Sequence, residues 1–126
     1  MAVDGRVVSR IGPGVLVLLG VAEGDTATEA EKISRKLLRL RIFPDSEGRM
    51  SEPLGDREIL CVSQFTLLGD TSKGNRPSFV SAASPDLAEP LYLDVCERTG
   101  AARGVFGADM EIEMTGDGPV TVLLEA

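Results

Sequence analysis

At 126 residues the chain is long enough for one domain with a real core and too short for two. Hydrophobic residues make up 43% and charged residues 26%, ordinary for a globular protein, and no apolar stretch approaches the ~20 residues of a membrane span. The net charge of −7 argues against a broad nucleic-acid surface, and the absence of histidine excludes Ser-His-Asp, Cys-His and imidazole-base chemistry and histidine-ligated zinc.

The opening residues, Met-Ala-Val-Asp-Gly-Arg, show no basic stretch leading into an apolar one, so no export signal is read and the cytoplasm is expected. Asp4-Gly5 within residues 3–8 is a hairpin signal. Ile11-Gly12-Pro13-Gly14 is a turn by composition. Val15 to Val21 is a continuous aliphatic run, read as a central strand covered on both faces. A helix follows. Thr26 and Glu29 form a capping box, and Ala30, Ile33, Leu37 and Leu40 recur at helical spacing behind it.

Residues 43–48 read as a loop, with little regular structure expected before Arg57. Ile59 to Leu68 reads as a second buried strand, and residues 69–78 as a long polar connection. Ser84-Pro85 is a cap followed by a favoured first-turn proline. Pro90 would break a helix interior, so the helix is expected to start near it, turning Leu91, Tyr92, Val95 and Cys96 inward and stopping at Gly100. Met110, Ile112 and Met114 alternate strictly with Glu111 and Glu113, the pattern of a half-buried antiparallel strand, and Val120 to Leu124 is expected to complete a hairpin with it.

Cys61 and Cys96 sit inside apolar patterns without companions at ligand spacing and read as reduced core residues. The acidic residues are scattered, so no metal site is read and no cofactor is called for. Arg35, Lys36, Arg39 and Arg41 cluster in one segment, Lys73 and Arg76 in another. Such runs are ordinarily solvated faces, though they leave room to grip a short nucleic-acid end. The expected fold is α/β: a single domain over residues 1–126, with mixed β-sheets layered β/β/α and both helices on one side.

Two features strain a purely structural reading. Ser63-Gln64-Phe65-Thr66 places three hydrogen-bonding side chains in an otherwise apolar strand. That suits either a solvated face or a site. A hydrolase without histidine needs donors for a developing oxyanion, and backbone N–H groups at a strand end serve well. Gly118-Pro119 opens the last apolar run, where a turn followed by a strand is the plain reading.

These two motifs occur in order, with Phe106-Gly-Ala-Asp-Met110 between them. Together with Arg76-Pro77-Ser78-Phe79 and the run from Gly12 to Gly20, they resemble the D-aminoacyl-tRNA deacylase family, also called D-tyrosyl-tRNA deacylase. The likeness runs from about residue 3 to the C-terminus. It implies a homodimer, with active sites at the subunit interface, that takes the 3′ acceptor end of aminoacyl-tRNA. The reaction implied is cleavage of the ester joining a D-amino acid, or mischarged glycine, to the terminal ribose. Ser63, Gln64, Phe65 and Thr66 would form the catalytic wall, with the N–H groups of Phe65 and Thr66 near the scissile carbonyl. Gly118 and Pro119, as a cis peptide inserted into the partner's site, would exclude L side chains. Phe106, Met110 and Ala83 would line the pocket. The attacking water would be activated by the RNA's own 2′-hydroxyl; the rival mechanism makes Thr66 a covalent nucleophile.

The family pattern also exposes departures. A further N-terminal strand with a Gln-Arg pair, whose arginine helps to hold the Gly-Pro segment, is expected to be missing. Residues 51–57 and the stretch from Gly100 to Val105 are shorter than usual, the latter read as having lost a strand, and Gly116 replaces an asparagine. These departures keep open a non-catalytic dimeric RNA-binding or interaction module with the same fold. An esterase for small acyl compounds is a third reading.

Overall fold

The computed structural model describes residues 1–126. A short antiparallel ladder opens the chain, β1 (Ala2–Val3) with β2 (Arg6–Val7). The turn between them is Asp4-Gly5, both with positive φ, 51° and 76°. Two left-handed residues in succession are what a two-residue hairpin turn of matching twist requires, which is why Asp-Gly signals it. β3 (Gly14–Leu19) then runs into α1 (Ala27–Arg39).

α1 begins where its cap dictates. The Thr26 hydroxyl accepts from the Thr28 N–H at 3.2 Å, while Glu29 Oε2 accepts from the Thr26 N–H at 2.7 Å and its hydroxyl at 2.6 Å. These bonds satisfy donors that an open helix end leaves without partners. Beyond α1 lies a small hairpin that composition did not reveal, β4 (Phe43–Pro44) with β5 (Met50–Glu52). Its loop is tied by Asp45, whose Oδ1 accepts the N–H groups of Glu47 and Arg49, each at 2.9 Å. Arg57 covers it, its guanidinium carbon 4.1 Å from the centre of the Phe43 ring.

β6 (Glu58–Ser63) pairs parallel with β3, from Gly14 opposite Glu58 to Leu19 opposite Ser63. α2 (Pro85–Thr99) follows a long connection, and β7 (Ala102–Arg103) adds parallel to the far edge of β6, giving the order β3-β6-β7. A short strand thus survives in the 100–105 stretch. Along β3 and β6 the odd-numbered residues, Val15, Val17, Leu19, Ile59 and Cys61, meet Ala30, Ile33 and Leu37 of α1 and Tyr92, Val95 and Cys96 of α2. Both helices therefore cover the same face. Tyr92 closes the cluster: its hydroxyl donates to Cys61 O at 2.8 Å and accepts from Gly104 N–H at 3.0 Å. Each buried side chain of this kind contributes about 1.5–3 kcal/mol.

Four expectations need correcting. The strand expected to reach Leu68 stops at Ser63, and Phe65–Leu68 coils into a 3-10 turn. α2 starts at Pro85 rather than near Pro90, which stands exposed inside the helix and removes one ladder donor without ending it. Leu18 is 43% exposed, so β3 is not covered on both faces. The expected hairpin of 109–114 with 120–124 does not form. Glu111 instead pairs with Ala2, and residues 112–126 make no hydrogen bond within the chain. No helix is long and apolar enough to cross a membrane.

Candidate active site

The carboxyl ends of parallel strands form a natural rim for a site, because the chain leaves the sheet there with its backbone groups unpaired. Here β3 and β6 end level, at Leu19 and Ser63. Gln64 N–H still reaches Leu19 O at 2.8 Å, and then the chain bends into the 65–68 turn. Gly20 makes the bend possible: a Cβ there would lie 2.6 Å from Leu68 Cδ2 and 3.3 Å from Gln64 O. A second segment arrives at the same rim. Ala83 N–H donates to Val21 O at 2.9 Å and Glu23 N–H to Ser81 O at 2.8 Å. Ser63, Gln64, Phe65, Thr66 and Ala83 are thus gathered at one end of the sheet.

The first donors of any helical turn lack partners inside it. At this turn the N–H groups of Phe65 and Thr66 find no acceptor elsewhere in the chain either, while Leu67 N–H bonds Gln64 O and Gly69 N–H bonds Thr66 O. The Gln64 side-chain amide donates to Thr66 Oγ1. An amide cannot take a proton, so this contact positions the hydroxyl without activating it. Phe65 is 56% exposed and its ring meets Phe79 edge-on, with centroids 5.1 Å apart. Phe79 belongs to the Arg76-Pro77-Ser78-Phe79 motif but carries no expected role in the site; its packing on Phe65 makes it a neighbour of the rim.

The other expected residues lie farther along. Phe106 is half-buried against Tyr92, their ring centres 6.0 Å apart. Met110 lies over β6, since a Cβ at Gly104 would sit 2.7 Å from its sulfur and 2.9 Å from Val62 Cγ1. Gly118 and Pro119 are exposed, joined by a cis peptide bond, and make no hydrogen bond to the 63–66 segment. Around them Met114, Val120, Val122 and Leu123 are exposed apolar residues, Leu123 at 88%.

The ionisable groups near the rim are few. The Ser72 hydroxyl and N–H hold the Asp70 carboxyl below the usual carboxylate range. Beneath the sheet, hydrogen bonding with the Cys96 thiol and burial push the Cys61 thiol well above its ordinary value. No group of three or more Cys, Asp and Glu side chains converges to hold a metal ion.

Comparison with known proteins gives the family. A D-aminoacyl-tRNA deacylase of Dehalococcoides mccartyi is 52% identical over 131 aligned residues, covering 98% of this chain and 86% of that protein. One of Marinobacter nauticus is 48% identical, covering 100% and 86%. The solved structure of a c-Myc DNA Unwinding Element Binding Protein superposes with a TM-score of 0.92 at 41% identity, covering 99% of this chain and 90% of that one. A probable eukaryotic D-amino acid tRNA deacylase shares the fold alone, with a TM-score of 0.61 at 23% identity over 78% of this chain. The family model described as D-Tyr-tRNA(Tyr) deacylase matches residues 1–125, and the chain belongs to that family.

Proposed function

We propose that the chain hydrolyses the ester of D-aminoacyl-tRNA, and of glycine mischarged on tRNA, releasing the free amino acid and tRNA. The observation that carries this reading is the pair of unpartnered N–H groups on Phe65 and Thr66 at the end of a parallel strand. Donors fixed in this way stabilise the oxyanion that forms when an ester carbonyl is attacked, without reorganising during the reaction. Water adds to the carbonyl carbon, the bond to the ribose 3′-oxygen breaks, and that oxygen takes a proton. The neighbouring 2′-hydroxyl of the substrate relays the proton, which supplies the base that a chain without histidine lacks. Thr66 is not the nucleophile in this scheme, because its hydroxyl is held by an amide rather than by a base.

Chirality is imposed by exclusion. Gly118 and Pro119 of a second copy close on the α-carbon and leave no room for an L side chain. The exposed apolar residues from Met114 to Leu123, in a segment without hydrogen bonds to its own chain, support a homodimer in which this segment finds its partner. Phe106 and Met110 line the adenosine end, and Ala83 lines the pocket at the rim. The reaction belongs in the cytoplasm, where aminoacyl-tRNA is used.

Paired assays of D-Tyr-tRNA and L-Tyr-tRNA test the reading. Hydrolysis of the D ester alone is expected. Equal hydrolysis of both would remove the exclusion argument. A chain that binds tRNA and hydrolyses neither would favour the non-catalytic module, a reading supported by the absence of any hydrogen bond holding the Gly118-Pro119 segment.

A further inference from the structure

The connection at residues 69–78 has no part in the chemistry above, yet its root is built into the same rim. Gly69 N–H donates to Thr66 O at 3.0 Å, and Asp70 and Ser78 exchange two backbone hydrogen bonds, both at 2.8 Å. Phe79, just beyond, packs on Phe65. The loop is therefore anchored at both ends against the turn that carries the free N–H pair.

Its charge is also unlike the rest of the chain. From Ile59 to Pro85 the charged residues are Asp70, Lys73 and Arg76, a net positive stretch in a protein of net charge −7. Asp70 is satisfied locally, its Oδ1 accepting the Ser72 N–H at 2.9 Å. Lys73 and Arg76 are exposed and belong to none of the ion pairs, which join Arg35 to Glu31, Arg49 to Glu47 and Arg98 to Asp94. The other basic cluster has structural explanations. Arg35 is paired, Arg41 donates to Ser51 O at 2.6 Å, and Lys36 and Arg39 sit in the last turn of α1, where the helix dipole favours cations.

Lys73 is three residues past Asp70 and Arg76 two before Ser78, so both side chains originate within about 11 Å of the loop root. A tRNA end brought to this rim carries one negative charge per nucleotide toward an acidic protein. An ammonium and a guanidinium at that distance suit phosphate oxygens, the guanidinium in two-pronged fashion. We propose that Lys73 and Arg76 form a clamp on the phosphates of the last nucleotides of the tRNA 3′ strand. The loop then delivers the ester to the N–H groups of Phe65 and Thr66. The inference rests on the deacylase reading and adds to it the contact that offsets the chain's overall repulsion of RNA.

The test compares wild type, the variants K73Q, R76Q and K73Q/R76Q, and K36Q as a control in the other basic cluster. D-Tyr-tRNA and D-tyrosyl-adenosine, which has the same ester and no phosphate, serve as substrates. The double variant should raise KM for D-Tyr-tRNA by about tenfold with little change in kcat, and flatten the salt dependence by about 1.4 in log-log slope, two single-strand phosphate contacts' worth. The penalty on D-tyrosyl-adenosine should be far smaller, and K36Q should behave as wild type. An unchanged KM and salt slope on tRNA would overturn the clamp, as would an equal penalty on both substrates, which would mark a distorted turn. Binding of deacylated tRNA, measured by filter retention at several salt concentrations, needs no turnover. A chain that hydrolyses nothing but loses salt-dependent tRNA binding in the double variant would refute the deacylase reading and keep the clamp; binding unaffected by the substitutions would refute the clamp.

Discussion

The helix-covered face of the β3-β6-β7 sheet and its open carboxyl rim, with the C-terminal tail, follow opposite rules. On the helix side every polar group is answered: Tyr92 links Cys61 O to Gly104 N–H, Ser34 donates to Ala30 O at 2.7 Å, and no buried side-chain nitrogen or oxygen lacks a partner. At the carboxyl rim and along residues 112–126, donors and apolar side chains are left open, as at Phe65, Thr66, Val122 and Leu123. The first region sets stability and the second is available for chemistry and partners. Unsatisfied groups are costly inside a protein and useful where a substrate will meet them.

The sharpest way to probe this contrast is in the helix-side core. Tyr92→Ala should cost about 3–5 kcal/mol in urea unfolding, through cavity formation and two lost hydrogen bonds. Tyr92→Phe isolates the hydroxyl's bonds and should cost less, about 0.5–1.5 kcal/mol, because Gly104 N–H still donates to Cys61 O at 3.2 Å when the hydroxyl is gone. If both variants unfold like wild type, the helix side is not the stabilising half.

Next comes the cap of α1. Thr26→Ala should cost about 1 kcal/mol. Glu29, held below its ordinary pKa by the Thr26 hydroxyl and N–H, adds a pH signature. A carboxyl with a lowered folded-state pKa stabilises above its unfolded value of about 4.3 and loses that contribution as pH falls through the folded one. The stability difference between wild type and Thr26→Ala should therefore shrink below about pH 4. A constant difference down to pH 2 would exclude the carboxylate from the cap.

The smallest effect on the protomer itself is expected in the tail. Leu123→Ser should change unfolding by less than about 0.5 kcal/mol at low protein concentration, since the side chain touches little of its own chain. If that segment pairs with a second copy, the melting temperature of the wild type rises with protein concentration and that of the variant rises less. A wild-type midpoint independent of concentration would break the contrast by removing the partner.

The same division explains what could be read from residues alone. The capping box, the Asp-Gly turn and the two aliphatic strands were legible because each signal is local and its partner lies in the same chain. The alternation of Met110, Ile112 and Met114 is equally regular, yet periodicity names a face and not the strand that pairs with it, so the C-terminal hairpin failed. The strand through Leu68 failed because Ser63-Gln64-Phe65-Thr66 has the composition of a strand, while the close approach of Gly20 to Leu68 and Gln64 turns the chain aside. Residues 63–66 and Ala83 meet at one rim through the level ends of β3 and β6 and the bond from Ala83 N–H to Val21 O, a juxtaposition that no local pattern announces. The packing of Phe79 on Phe65 depends on a loop closure that composition does not encode.

Single-turnover hydrolysis of D-Tyr-tRNA by Thr66→Ala, beside wild type, bears most directly on the claim that backbone N–H groups and the substrate's own hydroxyl do the work at the open rim. A rate within about tenfold of wild type is expected, because the turn keeps both donors when the hydroxyl is removed. A loss of about a thousandfold or more, the scale seen when a covalent nucleophile is removed, would contradict it and make Thr66 the attacking group.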